Sequence, residues 1–194
     1  MPYWGVMGAV LGAAITIAAP AWALPQLGTS LTTVAVEEVA TARPQALPIG
    51  RAMLVLYEDR EAQTQNEHAR VVLGRINDVP QNRERFEFMA VADVAAWNWW
   101  PARRSVLANL KDIARKHNTT IYADWHGAVR KTWGLTQHRS VLVLTDAAGK
   151  VRYASEGPVT DEQLRALVAA LAALGCTTDE LAGAGTGAGA ASGR

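Results

Sequence analysis

The chain has 194 residues, enough for one domain with a sizeable core, and its 19 basic and 18 acidic side chains leave a formal net charge of +1. That balance supplies neither an electrostatic funnel for nucleic acid nor a sink for acidic substrates, so no nucleic-acid partner is expected. The charge is unevenly spread, because no Asp, Glu, Lys or Arg precedes Glu37.

The uncharged start reads as a targeting segment. An apolar stretch from Val6 to Ala19 is followed by Pro20 and then by Ala21-Trp22-Ala23, a small-x-small pattern that a signal peptidase accepts. The expectation is a signal peptide over residues 1–23, cleavage after Ala23, and a periplasmic or secreted mature protein. The first five residues carry no Lys or Arg, and the apolar length from Tyr3 to Leu24 reaches that of a bilayer span, so a membrane is an expected partner only if the segment stays uncleaved. Residues 24–50 read as an N-terminal extension. Cys176 is the only cysteine, which excludes an intramolecular disulfide. Residues 176–194, Gly/Ala-rich from Ala182 on, offer too few large apolar groups to offset the entropy of ordering and read as a disordered tail.

Between these ends lies a domain expected over residues 51–175. Met53–Tyr57 is a short continuous apolar run, as for a strand covered on both faces. Thr64 and Glu67 have capping-box spacing ahead of Ala69, Val72, Leu73 and Ile76 at helical intervals. Phe86–Ala92 predicts a second strand and Ser105–His117 a second helix, with Val106, Leu107, Leu110, Ile113 and Ala114 on one face. Thr120–Ala123 predicts a strand, and Trp125–Trp133 a helical turn stopped by Gly134. Ser140–Thr145 and Val151–Ala154 flank the turn Asp146–Gly149 as a hairpin, and a second capping box, Thr160 with Gln163, opens a helix striped by Leu164, Leu167, Val168, Leu171 and Leu174. The order βαβα, β, ββα is that of a thioredoxin-like α/β fold, a central mixed sheet with helices on both faces.

Several segments, in this order, resemble the exported YtfJ-type thioredoxin-like family of bacteria. They are Ala-Val-Ala-Asp93, Tyr122-Ala-Asp124 before Gly127–Arg130, Trp133-Gly-Leu135, Ser140-Val-Leu-Val-Leu, Asp146-x-x-Gly-Lys-Val151, and Glu156-Gly157 with Thr160-x-Glu162-Gln163. The resemblance spans about Leu54 to Leu174. It implies a periplasmic thioredoxin fold of poorly defined activity.

Thiol redox chemistry lacks its residues. A thioredoxin-type enzyme places a thiolate where the helix after the first strand begins, with a second Cys three residues on, whereas Glu58-Asp59-Arg60-Glu61 stands here. Before Ser140 the chain reads Gln137-His138-Arg139, without the proline that usually faces the thiol pair. Loops leaving the carboxyl ends of parallel strands are where α/β folds bind ligands. Three such loops are expected to converge: Glu58–Glu61 with Asp59 and Arg60; Asp93–Arg104 with Trp97, Trp99, Trp100 and Arg103; and Asp124, Trp125 and His126. His138 and Arg139 should approach from the start of the next strand. Trp and Arg dominate binding hot spots, so these residues are the candidate ligand or partner face, with at least one Trp exposed.

His126 and His138 are weighed as metal ligands with Asp124 or Asp93, but no pair has the close spacing of a zinc motif, so each reads as a lone surface histidine and no metal or cofactor is expected. His68 and His117 read as solvated helix residues, and Asp59 with Arg60, and Glu37 with Glu38, as solvated charges. Ser140 has no nucleophile elbow around it. The sequence thus points to a binding or interaction module for a protein or small-molecule ligand. The competing reading is a redoxin-like or metal-dependent enzyme working without a thiol pair.

Overall fold

A computed structural model describes residues 24–178. Seven strands form one mixed sheet in the order β2-β1-β5-β4-β3-β6-β7: β1 Val34–Glu38, β2 Pro44–Leu47, β3 Ala52–Glu58, β4 Phe86–Asp93, β5 Ile121–Asp124, β6 Val141–Thr145 and β7 Val151–Glu156. β3, β4 and β5 run parallel, and β6 joins β3 antiparallel.

Central β3 explains the layering. Its alternate residues face opposite ways, and both faces are covered, which is why the run Met53–Tyr57 carries no polar alternation. Met53, Val55 and Tyr57 enter a core with Val129 and Trp133 of helix α4 (Ala128–Trp133). Leu54 and Leu56 enter the opposite core with Leu73 and Ile76 of α1 (Glu67–Asp78) and Leu167 and Leu171 of α5 (Asp161–Ala173). Each such leucine contributes roughly 1.5–3 kcal/mol by leaving water. A third cluster forms where Leu110 of α3 (Ala102–His117) packs with Val39, Val94, Ala123 and Trp125.

The capping box of α5 forms as expected: Thr160 Oγ1 accepts from the Gln163 N–H at 3.2 Å, and Gln163 Oε1 accepts from the Thr160 N–H at 2.9 Å. That of α1 does not. The helix starts after Asn66, which makes no side-chain cap. The Asn66 side chain is turned inward, donating to Ser140 Oγ at 2.7 Å and to the Gly157 carbonyl at 3.1 Å, and accepting from the Val159 N–H at 2.7 Å. The side chain thus ties the start of α1 to two distant segments, Ser140 and Gly157–Val159, instead of closing its own first turn. A short helix, α2 (Pro80–Arg85), opened by Pro80, was not expected from the pattern.

The residues read as an N-terminal extension supply part of the sheet. β1 pairs with both β2 and β5, Val34, Val36 and Leu47 are buried in the α4-side core, and Trp133 donates to the Thr32 carbonyl at 2.9 Å. At the other end, the first residues of the expected tail are held: Cys176 is buried, and Thr177 exchanges two hydrogen bonds with the Asn82 side chain. The expected signal peptide and the Gly/Ala run from Ala182 lie outside the described residues. Among the described residues, no helix is long and apolar enough to cross a membrane.

Candidate functional site

The carboxyl ends of the three parallel strands fall at Glu58, Asp93 and Asp124, with Asp93 opposite Asp124 in register. The three expected loops therefore leave from one end of the sheet. The segment before β6 reaches the first of them, since the His138 N–H donates to Asp59 Oδ2 at 2.9 Å and Gln65 Nε2 donates to the His138 carbonyl at 2.9 Å.

Several candidates turn out to be framework. Asp124 is buried; its carboxylate accepts from the N–H groups of His126, Ala128 and Val129 and from the Tyr57 hydroxyl at 3.2 Å, anchoring the loop and the start of α4. Asp93 is paired with Arg130 at 3.0 Å and accepts from the Ala95 N–H, which sets the 3₁₀ turn Ala95–Trp97. Burial works against the Arg130 charge, but Asp93 more than offsets it and the guanidinium is held above its usual pKa. Burial first, then the Asp124 and Asp93 charges, drives the Tyr57 phenol far above its ordinary range, so it stays a neutral donor. Trp125 is buried, with Nε1 donating to Glu37 at 3.1 Å and the Arg103 guanidinium 4.3 Å from the ring centroid. Arg103 also pairs with Glu37 at 3.1 Å, so Glu37 is a structural partner and not the solvated charge its sequence setting suggested.

The other three candidate tryptophans face solvent: Trp97 is 36%, Trp99 57% and Trp100 82% exposed. Their loop is nevertheless fixed. The Arg103 N–H donates to the Trp99 carbonyl at 2.9 Å, Arg103 Nη1 donates to Asn98 Oδ1 at 2.9 Å, and Asn98 Nδ2 lies 3.3 Å from His126 Nδ1. Trp97 also borders an open groove of about 1160 Å³ between α1 and α3, floored by Phe88, Ala90 and Ala92.

Around the first loop, Asp59 is not a solvated charge and His138 is not a lone histidine. The Asp59 side chain is only 11% exposed, and His138 Nδ1 lies 2.9 Å from its Oδ2 and 3.5 Å from Glu61 Oε2. His138 thus meets Asp59 and Glu61, rather than Asp93 or Asp124 as weighed from the sequence. Glu58 accepts from Ser140 Oγ at 2.7 Å and pairs with Arg70; burial raises its pKa against both of these partners. Arg60 and His126 are exposed, as is Arg139, whose guanidinium lies over Gly157. Glu61, Asn66 and Asn98 were missed as site or support residues; a carboxylate two residues after Asp59 was the one local signal for Glu61.

Residues 100–174 match a family model described as "Bacterial protein of unknown function (YtfJ_HI0045)". No curated protein matches the sequence. Among solved structures, the chain is similar to a putative thiol:disulfide interchange protein DsbE from Chlorobium tepidum, with 14% identity, coverage of 76% of this chain and 99% of that one, and a TM-score of 0.56. It is similar to a putative protein disulfide isomerase from Bacteroides thetaiotaomicron at 12% identity, covering 77% and 90%, with a TM-score of 0.54. A peroxiredoxin-like protein from Aquifex aeolicus matches at 13% identity over 78% and 89%, with a TM-score of 0.52. Likeness at these identities establishes a thioredoxin-like fold and leaves the activity to the site.

Proposed function

We propose that this chain, which resembles the YtfJ-type thioredoxin-like proteins over residues 100–174, is an exported binding module that engages a protein or small-molecule ligand through Trp97, Trp99 and Trp100. One observation carries the reading: two adjacent tryptophans, 57% and 82% exposed, are held at the carboxyl end of the parallel strands by a loop fastened to α3 and to His126. A Trp side chain buries roughly 150–250 Å², and leaving that area in water has a cost that a bound partner removes. Because the loop is fastened, little ordering entropy is lost on binding. The fold neighbours named for thiol–disulfide interchange or isomerase activity suggest redox work, but no cysteine lies in the Glu58–Glu61 loop, so the fold is read here as a scaffold.

The reading is tested by placing a photo-crosslinking residue at position 99 or 100 and, as a control, at Val71, an exposed apolar position on α1. A discrete adduct in the periplasm from the loop positions, absent from Val71 and competed by unlabelled protein, is the expected result. Equal or no adduct formation at both faces overturns it. Export is checked in the same cells: the amino terminus of the recovered protein should begin near Leu24.

A further inference from the structure

Asp59 poses an electrostatic problem that the binding role leaves unanswered. Its side chain is 11% exposed, yet among the described residues no Lys or Arg pairs with it. Oδ1 accepts from the Ala62 N–H at 3.0 Å, and Oδ2 accepts from the His138 N–H and faces His138 Nδ1, both at 2.9 Å. A carboxylate removed from water is normally either paired with a cation or coordinated to a metal. Among the described residues, the only cation-capable side chain paired with Asp59 is the His138 imidazole, and it also faces a second carboxylate, Glu61 Oε2 at 3.5 Å.

We propose that Asp59, Glu61 and His138 form a binding site for a transition-metal dication, Zn²⁺ or Mn²⁺ by donor chemistry, where the loop after β3 meets the segment before β6. One ligand atom from each of the three side chains lies within 4.8 Å of the others. The separations have the right scale. Two ligand atoms each about 2.1 Å from a metal stand about 3.0 Å apart at a right angle and about 3.4 Å apart at the tetrahedral angle. The Nδ1 distances of 2.9 and 3.5 Å match those two values. One imidazole with two carboxylates is a borderline-hard set that suits Zn²⁺ and Mn²⁺ over the thiolate-seeking metals. The side chains of Glu61 and His138 are 59% and 55% exposed, so an ion enters from solvent and keeps its remaining positions for water or an external ligand. Half-buried Asp59, held by two backbone N–H groups, is the fixed ligand, and the exposed Glu61 and His138 complete the set.

The test titrates Zn²⁺, and separately Mn²⁺, into the untagged protein by calorimetry, with long-range ¹H–¹⁵N spectra of the histidine rings recorded for the Zn²⁺ series. The expected result is one ion per chain, with a metal-induced shift at Nδ1 of His138 and none at His126. Glu61→Gln and His138→Asn should each weaken binding by about tenfold or more. Asn is chosen because His138 sits at φ +63°, a backbone region that Asn tolerates. Cys176→Ser should bind as the parent does, separating the site from the lone thiol. If His138→Asn fails to fold, the exposed Glu61→Gln decides alone. Absence of the His138 shift at millimolar metal, or equal affinity in parent and Glu61→Gln, overturns the proposal.

Discussion

Replacing Trp125 and Trp100 by alanine should separate framework from binding face, because two tryptophans of similar sequence setting have opposite surroundings. Trp125 is 3% exposed and packs with Val39, Val94 and Leu110. Truncating a buried tryptophan costs about 3–5 kcal/mol, and losing the Arg103 contact at 4.3 Å adds to it. For a domain of this size each kcal/mol shifts Tm by about 2–4 °C, so Trp125→Ala should melt roughly 6–20 °C early. Trp100 is 82% exposed, and its removal should stay within about 0.5 kcal/mol, or about 2 °C. Thermal unfolding followed by circular dichroism measures both, and crosslinking from position 99 in each background reports on partner engagement. Trp100→Ala is expected to keep its Tm and lose the adduct. A Trp100→Ala protein melting as early as Trp125→Ala would show that the loop supports the core, and the binding-face reasoning would fail.

Two further outcomes follow from buried hydrogen bonds. Asn66→Ala orphans the Gly157 carbonyl and the Val159 N–H, and at about 1–3 kcal/mol for each unsatisfied buried group it should cost roughly 2–6 kcal/mol in urea unfolding; Asn66→Asp, which keeps an acceptor but loses both donors, should not rescue it. Burial alone would raise the Asp146 pKa, but the N–H groups of Lys150 and Ala148 and the Arg152 guanidinium hold it below the usual 3.8. The unfolded chain then takes up this proton more readily than the folded one, so stability is lost as pH falls through about 3.8 and below; Asp146→Asn should flatten that part of the stability–pH curve, and an unchanged slope would refute the assignment.

The sequence disclosed those elements whose signals are local. The run Met53–Tyr57 is apolar because both faces are covered, and the second capping box and the Asp146–Gly149 turn each close within four residues. Strands β1 and β2 escaped because they are short, and because β1 gains its place by pairing with Tyr122 and Ala123, more than eighty residues away. The α1 capping box failed for a related reason: Asn66 answers to Ser140, Gly157 and Val159, none of them nearby in the chain. Of the site, the convergence of loops was legible from the alternation of strands and helices. The burial of Trp125 against the exposure of Trp99 and Trp100 was not, since it depends on Glu37 of β1 meeting Arg103 of α3, 66 positions away. The approach of His138 to these loops was expected, but its pairing with Asp59, 79 positions away, rather than with Asp93 or Asp124 was not.

The same separation of ends bears on redox chemistry. Cys176 packs with Phe86 at the start of β4 and near Arg85, whereas the Asp59 loop lies where the parallel strands finish. β4 has eight residues, and at about 3.3 Å per residue its ends stand roughly 23 Å apart, too far for this thiol to serve the position where a thioredoxin-type enzyme reacts. Burial raises the Cys176 pKa, opposed by the Arg85 charge, so little reactive thiolate exists at neutral pH. Cys176 should therefore label slowly with a disulfide reagent in the folded protein and rapidly in denaturant. Disulfide reduction and peroxide turnover by the parent should equal those of Cys176→Ser. Turnover by the parent that Cys176→Ser lacks would mean that the thiol reaches substrate by some route other than the loop end of the sheet, and the reading of the fold as a scaffold for binding would have to give way to a redox one.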